Sequence, residues 1–163
     1  MRPRIGISAC LLGERVRYDG AHKLSAALAG DFAGRVEWVP VCPEVGAGMG
    51  VPREKLHILG TADAPRLVTH SGSRDWTDEM NAFVAAEIAR LTEARICGFV
   101  LKSKSPSCGL REIPVSGAGV FARAVTAAFP GLPVADEVDL TDPDARAAFA
   151  DAAVAWARER GML

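Results

Sequence analysis

Apolar residues recur along the chain in two rhythms. Short runs dense in isoleucine, valine and leucine predict strands: "RIGISA" (4–9), "RVEWVPV" (35–41), "PRLVT" (65–69), "RICGFVL" (95–101) and "LPVADE" (132–137). The fourth run is apolar almost throughout, as expected of a central strand covered on both faces. Between these runs the apolar positions fall three and four apart, the spacing of one helix face. Leu24, Ala27, Leu28 and Phe32 predict a helix over 24–32. Trp76, Met80, Phe83, Val84, Ile88 and Leu91 predict one over 75–91, the clearest in the chain. "GAGVFARAVTAAF" (117–129) reads as a helix opening with glycines. A closing helix over 144–160 has Phe149, Ala152, Ala153 and Trp156 as its buried stripe, with Pro143 near its first turn and Gly161 just past its end. Strands alternating with helices over residues 1–163 predict a single α/β domain. Its sheet should be open, mainly parallel and Rossmann-like, with helices on both faces.

Composition narrows the function. With 163 residues and a net charge of −1, the chain lacks the basic surplus of an electrostatic nucleic-acid binder. A small, weakly charged substrate suits it better. Its apolar runs are too short to span a bilayer. The N-terminal "MRPRIGISAC" has no long apolar segment ending in a cleavage site, so the expected compartment is the cytoplasm. In a reducing compartment, cysteines serve more often as metal ligands or catalytic groups than as disulfides.

Three of the four cysteines share a setting. Cys10 follows the first predicted strand, Cys42 the second, and Cys108 comes seven residues after the strand over 95–101. Open parallel sheets bind ligands outside the carboxyl ends of their strands, so loops leaving one edge can bring the three together. Cys97 sits inside an apolar run and reads as a packing residue. The plain alternative is three unrelated half-buried thiols. There is no CxxC pair and no HxE…PCxxC signature. Three thiolates with no histidine nearby suit a soft site such as an iron–sulfur cluster, with one iron lacking a cysteine.

The surroundings carry further candidates. Glu44, two residues after Cys42, reads as a general base or proton carrier, or else as a solvated loop carboxylate. Ser103, Ser105 and Ser107 in "KSKSPSC" are turn residues or hydroxyls that hold a polar heterocycle, and Lys102 and Lys104 can face negative charge. "GAGMG" (46–50) lacks the spacing of a dinucleotide fingerprint and reads as a tight loop. In "VRYDG" (16–20), Arg17, Tyr18 and Asp19 line the site or fix the turn. His22, His57 and His70 have no partner at metal-ligand spacing.

The segments "SACLLGERVRYDG", "VPVCPEVGAGMGVPRE" and "LKSKSPSCG" together resemble the family that includes the thiouracil desulfurases, from residue 5 to about 135. That resemblance implies a [4Fe-4S] cluster held by Cys10, Cys42 and Cys108, with one iron left open. It implies non-redox removal of sulfur from a thiolated nucleobase such as 2-thiouracil, giving uracil and sulfide, with the open iron acting as a Lewis acid on the substrate sulfur. Glu44 takes the proton-handling role, and Ser105, in preference to Ser103, orients the substrate. Ser8, Asp19, Lys102, Ser103 and Ser107 are the expected substrate contacts. Two other readings stay open: an iron–sulfur enzyme for another thioamide metabolite, and a non-enzymatic cluster-binding or redox-sensing domain. The last has no need of an acid–base residue or a hydroxyl-lined pocket.

Overall fold

The computed structural model describes residues 1–163. Four strands form the main sheet in the order β2-β1-β5-β6, every neighbouring pair parallel. They are β1 (Arg4–Ser8), β2 (Glu37–Val41), β5 (Gly98–Leu101) and β6 (Val134–Asp136). Five helices accompany them: α1 (Ala26–Asp31), α2 (Pro43–Gly46), α3 (Thr77–Ala94), α4 (Val120–Ala128) and α5 (Pro143–Glu159). The expected mainly parallel α/β sheet is therefore present.

Side-chain alternation on β5 shows how the sheet is covered. Phe149 and Ala153 of α5 pack against Gly98. Phe149 also meets the edge of Phe32, at the end of α1. The next residue, Phe99, points the other way and lies edge-on to Phe121 of α4, with ring centroids 5.6 Å apart. Helix α3 packs beside α4. So α1 and α5 cover one face, and α3 and α4 the other. The Phe99 ring also crosses β1: a Cβ on Gly6 would stand 2.3 Å from it, so only glycine fits there.

Several elements depart from the pattern reading. The strand over 65–69 does not join the parallel sheet. As β4 (Pro65–Thr69) it pairs antiparallel with β3 (Leu56–Gly60), which the sequence reading missed. Leu56 and Ile58 are buried while His57 between them and Leu59 after them are less so, a period-two strand too short and too mixed to stand out. Helix α1 starts at Ala26, its first turn capped by the Ser25 hydroxyl, which accepts from the Leu28 N–H. Leu24 therefore precedes the helix and is half exposed, and Ala27 is exposed as well. Six residues present only one turn to the core, so Leu28 and Phe32 carry the packing. On α5, Ala152 is exposed, and the buried stripe runs Phe149, Ala153, Trp156 and Ala157. Arg146 extends that stripe because its guanidinium is paired with Asp31 and bonded to the carbonyls of Leu140 and Thr141. No helix is long and apolar enough to cross a membrane.

A four-stranded parallel sheet has all its carboxyl ends on one edge. Here that edge is marked by Ser8, Val41, Leu101 and Asp136. Every loop that carries a candidate ligand leaves from it.

Candidate active site

Each of the three loops is fixed locally before it meets the others. After β1 the chain turns at once into a 3-10 turn, Ala9–Leu12, whose Cys10 carbonyl accepts from the N–H groups of Gly13 and Lys23. After β2, Cys42 caps the short helix α2, with Pro43 at its first position. Sequence reading gave this stretch no helix, since four residues leave no periodicity to detect. The loop after β5 is held from two sides. Ser105 Oγ accepts from the N–H groups of Ser107 and Cys108, closing a tight turn. The free N–H groups at the start of α4 then donate to this loop: Val120 to the Pro106 carbonyl, Phe121 and Ala122 to that of Ser107. Gly119 permits this approach, because a Cβ there would lie 2.4 Å from the Ser107 carbonyl. The glycines read as opening a helix thus sit just before it, and at Gly119 the backbone passes close to the Cys108 loop.

The three loops enclose one cavity of about 640 Å³. Cys10, Cys42 and Cys108 all line it, together with Glu44. Cys97 does not. Its thiol donates to the Arg4 carbonyl at 3.3 Å, at the amino end of the sheet. Neighbouring thiols act on two of the three lining cysteines. Burial pushes Cys10 up to about 11, with Lys102 pulling it down and Cys42 adding to the rise. Burial raises Cys108 furthest, against a hydrogen bond from Ser8, and both other thiols add to that rise. Cys42 is also raised by burial, while the backbone N–H of Val45 draws it back. No three histidine, cysteine, aspartate or glutamate side chains stand close enough together to hold a single metal ion.

Glu44 is clamped. Arg53 Nε donates to its Oε1 at 3.0 Å, and Ser107 Oγ donates to its Oε2 at 3.2 Å. Arg53 is almost buried and reaches further: its Nη2 donates to the Val16 carbonyl at 2.7 Å, its Nη1 to that of Gly50, and its backbone N–H to that of Tyr18. The Cys42 thiol points at the same Val16 carbonyl. One guanidinium therefore ties the loop after Cys10 to the loop after Cys42. Arg53→Met would leave the Glu44 carboxylate buried without its cation. The expected cost is about 3 kcal/mol, read as a lower urea midpoint at unchanged slope. A loss under about 1 kcal/mol would show that the pair is replaceable by water.

The other predicted contacts are divided. Ser8, Lys102, Ser103 and Ser105 line the cavity. Ser8 is buried, and its hydroxyl accepts from the Lys102 N–H, stitching the ends of β1 and β5 together. Ser107 is fully buried behind Glu44 and is not part of the lining. Asp19 is exposed outside it, with its carboxylate turned to the Ala21 N–H and to Arg17. Its neighbours Arg17 and Tyr18 do line the cavity, as do Lys104, Lys55 and His70.

Sequence reasoning missed two partners. Arg53 lies inside the segment "VPRE", where the pattern of charge gave no reason to single it out. Glu137 ends the last predicted strand at the ligand-binding edge, which could have drawn attention to it. Its Oε1 accepts from Lys102 Nζ at 2.8 Å and from the Ser103 hydroxyl, and its Oε2 from the Ser103 N–H. Burial raises Glu137, but these hydrogen bonds outweigh it and leave the carboxyl below its ordinary range.

Fold and site together define a mainly parallel α/β protein with three converging thiols and a clamped carboxylate at the carboxyl edge of its sheet. The family model described as 2-thiouracil desulfurase matches residues 5–137, and the chain belongs to that family. Among solved structures it is similar to the [4Fe-4S]-dependent thiouracil desulfidase TudS, at 31% identity and a TM-score of 0.67. That match covers 90% of this chain and 97% of the other. No curated protein sequence matches the chain.

Proposed function

We propose that the protein removes sulfur from a thiolated nucleobase such as 2-thiouracil, releasing uracil and sulfide. Cys10, Cys42 and Cys108 would hold a [4Fe-4S] cluster and leave one iron without a cysteine. The observation that carries this reading is the convergence of three thiols and Glu44 on one cavity. The donor set fits the group. All three candidate ligands are soft sulfurs. The one carboxylate that lines the cavity with them is already engaged by Arg53 and Ser107.

When bound, the cluster supplies a thiophilic Lewis-acid iron. The chain's own residues do the rest. The cavity lies within the usual size range for a small-molecule site, and its mixed lining suits a polar heterocycle. In the net reaction water adds a C–O bond at the ring carbon, the C–S bond breaks and hydrogen sulfide leaves, so no electrons are exchanged. Glu44 takes a proton from the attacking water and returns it to the departing sulfur or the ring nitrogen. Arg53 and Ser107 hold both carboxylate oxygens in place for that transfer. Ser103 and Ser107 direct their hydroxyls to carboxylates, whereas the Ser105 hydroxyl only accepts, from two backbone N–H groups. Its O–H remains available to the substrate, which supports Ser105 as the orienting hydroxyl.

Anaerobic reconstitution with iron and sulfide, then addition of 2-thiouracil, tests the reading. Uracil and sulfide should appear in equal amounts, and the iron-free protein should give neither. A fully loaded protein that leaves 2-thiouracil intact but hydrolyses a simple thioamide would move the assignment to the other substrate class. Loaded protein inert toward both would sink the enzymatic reading.

A further inference from the structure

A second buried ion pair stands beside the thiols and has no part in the proton transfer assigned to Glu44. Lys102 leaves the end of β5 and Glu137 the end of β6, and both side chains are about four-fifths buried. The ammonium is held by Glu137 Oε1 at 2.8 Å, by the Ser103 carbonyl at 2.9 Å and by the Ser103 hydroxyl at 3.2 Å. Three acceptors give the ammonium a fixed position. Glu137 in turn takes the Ser103 N–H and hydroxyl, so its own place is fixed as well. The pair is neutral overall, but it is oriented. Lys102 is part of the cavity lining and Glu137 is not. A dipole built from two buried charges thus turns its positive end to the cavity that the thiols line.

We infer that Lys102, oriented by Glu137 and Ser103, is a fixed counter-charge for the cluster rather than a grip on the substrate. The inference rests on the iron–sulfur reading of the thiol trio. A four-iron core in its two-plus state carries one net negative charge once three thiolates are bound, and two after one-electron reduction. Removing that charge from water is costly unless a cation faces it, and an ammonium already desolvated and immobilised needs no reorganisation to do so. The same charge favours the more negative, reduced state, and so raises the reduction potential. For a reaction that exchanges no electrons, its use is to hold a negatively charged group in a buried site.

The test is an anaerobic, spectroscopically monitored potential titration of the reconstituted protein and three variants, with iron content measured alongside. Lys102→Met should shift the potential downward and lose iron faster when challenged with a chelator. Glu137→Gln removes the opposing end of the dipole and should shift the potential upward. Lys102→Arg should stay near the parent. Opposite shifts in the first two variants are the expected signature, because a merely structural pair would not move the potential in two directions. If Lys102→Met fails to fold, the upward shift of Glu137→Gln still decides the matter. Unchanged potentials in both variants, with a raised KM for 2-thiouracil in Lys102→Met, would overturn the inference and return Lys102 to substrate binding while leaving the desulfurase reading intact. A parent protein that takes up no four-iron cluster would overturn both.

Discussion

Replacing Cys10, Cys42 or Cys108 by alanine is expected to remove most of the iron, whereas Cys97→Ala should keep the parent's content. The reason is coordination number. On the proposed ligation, three protein ligands are already fewer than the four irons of the core, and losing one would leave two, too few to hold it. Cys97 provides the internal control. It is buried like Cys10 and Cys108, but it lies at the amino end of the sheet with its thiol on the Arg4 carbonyl, outside the cavity lining. A small core thiol changed to alanine costs packing and leaves the donor set untouched. Iron and acid-labile sulfide, measured after identical anaerobic reconstitution of all four variants, decide the matter. Equal iron in Cys42→Ala and the parent would mean that the shared cavity is not a cluster site. Cys108→Ala is the most informative of the three, because the turn that carries it is held by Ser105 and by the start of α4, not by the cysteine itself. Loss of iron there reports on the ligand and not on a collapsed loop.

The sheet and the cysteine trio were legible in the sequence for the same reason. Parallel strands buried on both faces read as apolar runs, and the loops leaving their carboxyl ends all lie on one edge of the sheet. The position of Cys10 and Cys42 directly after such runs was therefore enough to place them together, and the apolar setting of Cys97 was enough to set it apart. The β3–β4 hairpin was only half legible. Its second strand carries a plain apolar run, but its first alternates Leu56 and Ile58 with less buried residues in only five positions. Nor could the pattern show that the hairpin stands apart from the main sheet, because strand partners are chosen by tertiary packing. The clamps on the site were the least legible. Arg53 reaches Glu44 across nine residues, while Glu137 reaches Lys102 across thirty-five and Ser107 reaches Glu44 across sixty-three. No local spacing encodes such pairs. The same holds for Ser107 and Asp19. Sequence position placed both in the loops that carry the candidate ligands, but the direction in which each side chain leaves its turn puts one behind Glu44 and the other outside the cavity.

Glu44→Gln is expected to keep the cluster's visible absorption, to bind 2-thiouracil, and to lose at least about 100-fold in turnover. The geometry makes this a clean substitution. The glutamine carbonyl oxygen can take the place of Oε1 and accept from Arg53 Nε. Its amide nitrogen can take the place of Oε2 and donate to Ser107, whose hydroxyl is free to turn from donor to acceptor. Arg53 keeps its bonds to the Val16 and Gly50 carbonyls, so the loops after Cys10 and Cys42 stay tied. What the amide cannot do is accept a proton from the attacking water and hand it on. A large fall in turnover with unchanged iron content and unchanged substrate affinity therefore isolates proton transfer. Ser107→Ala serves as the companion. It leaves the carboxylate in place but frees Oε2, and should reduce turnover by a smaller factor, because the proton acceptor survives and only its orientation is loosened. Glu44→Gln with turnover within a few-fold of the parent and a full cluster would assign Glu44 to holding the loops together, and would leave the activation of water to the open iron alone.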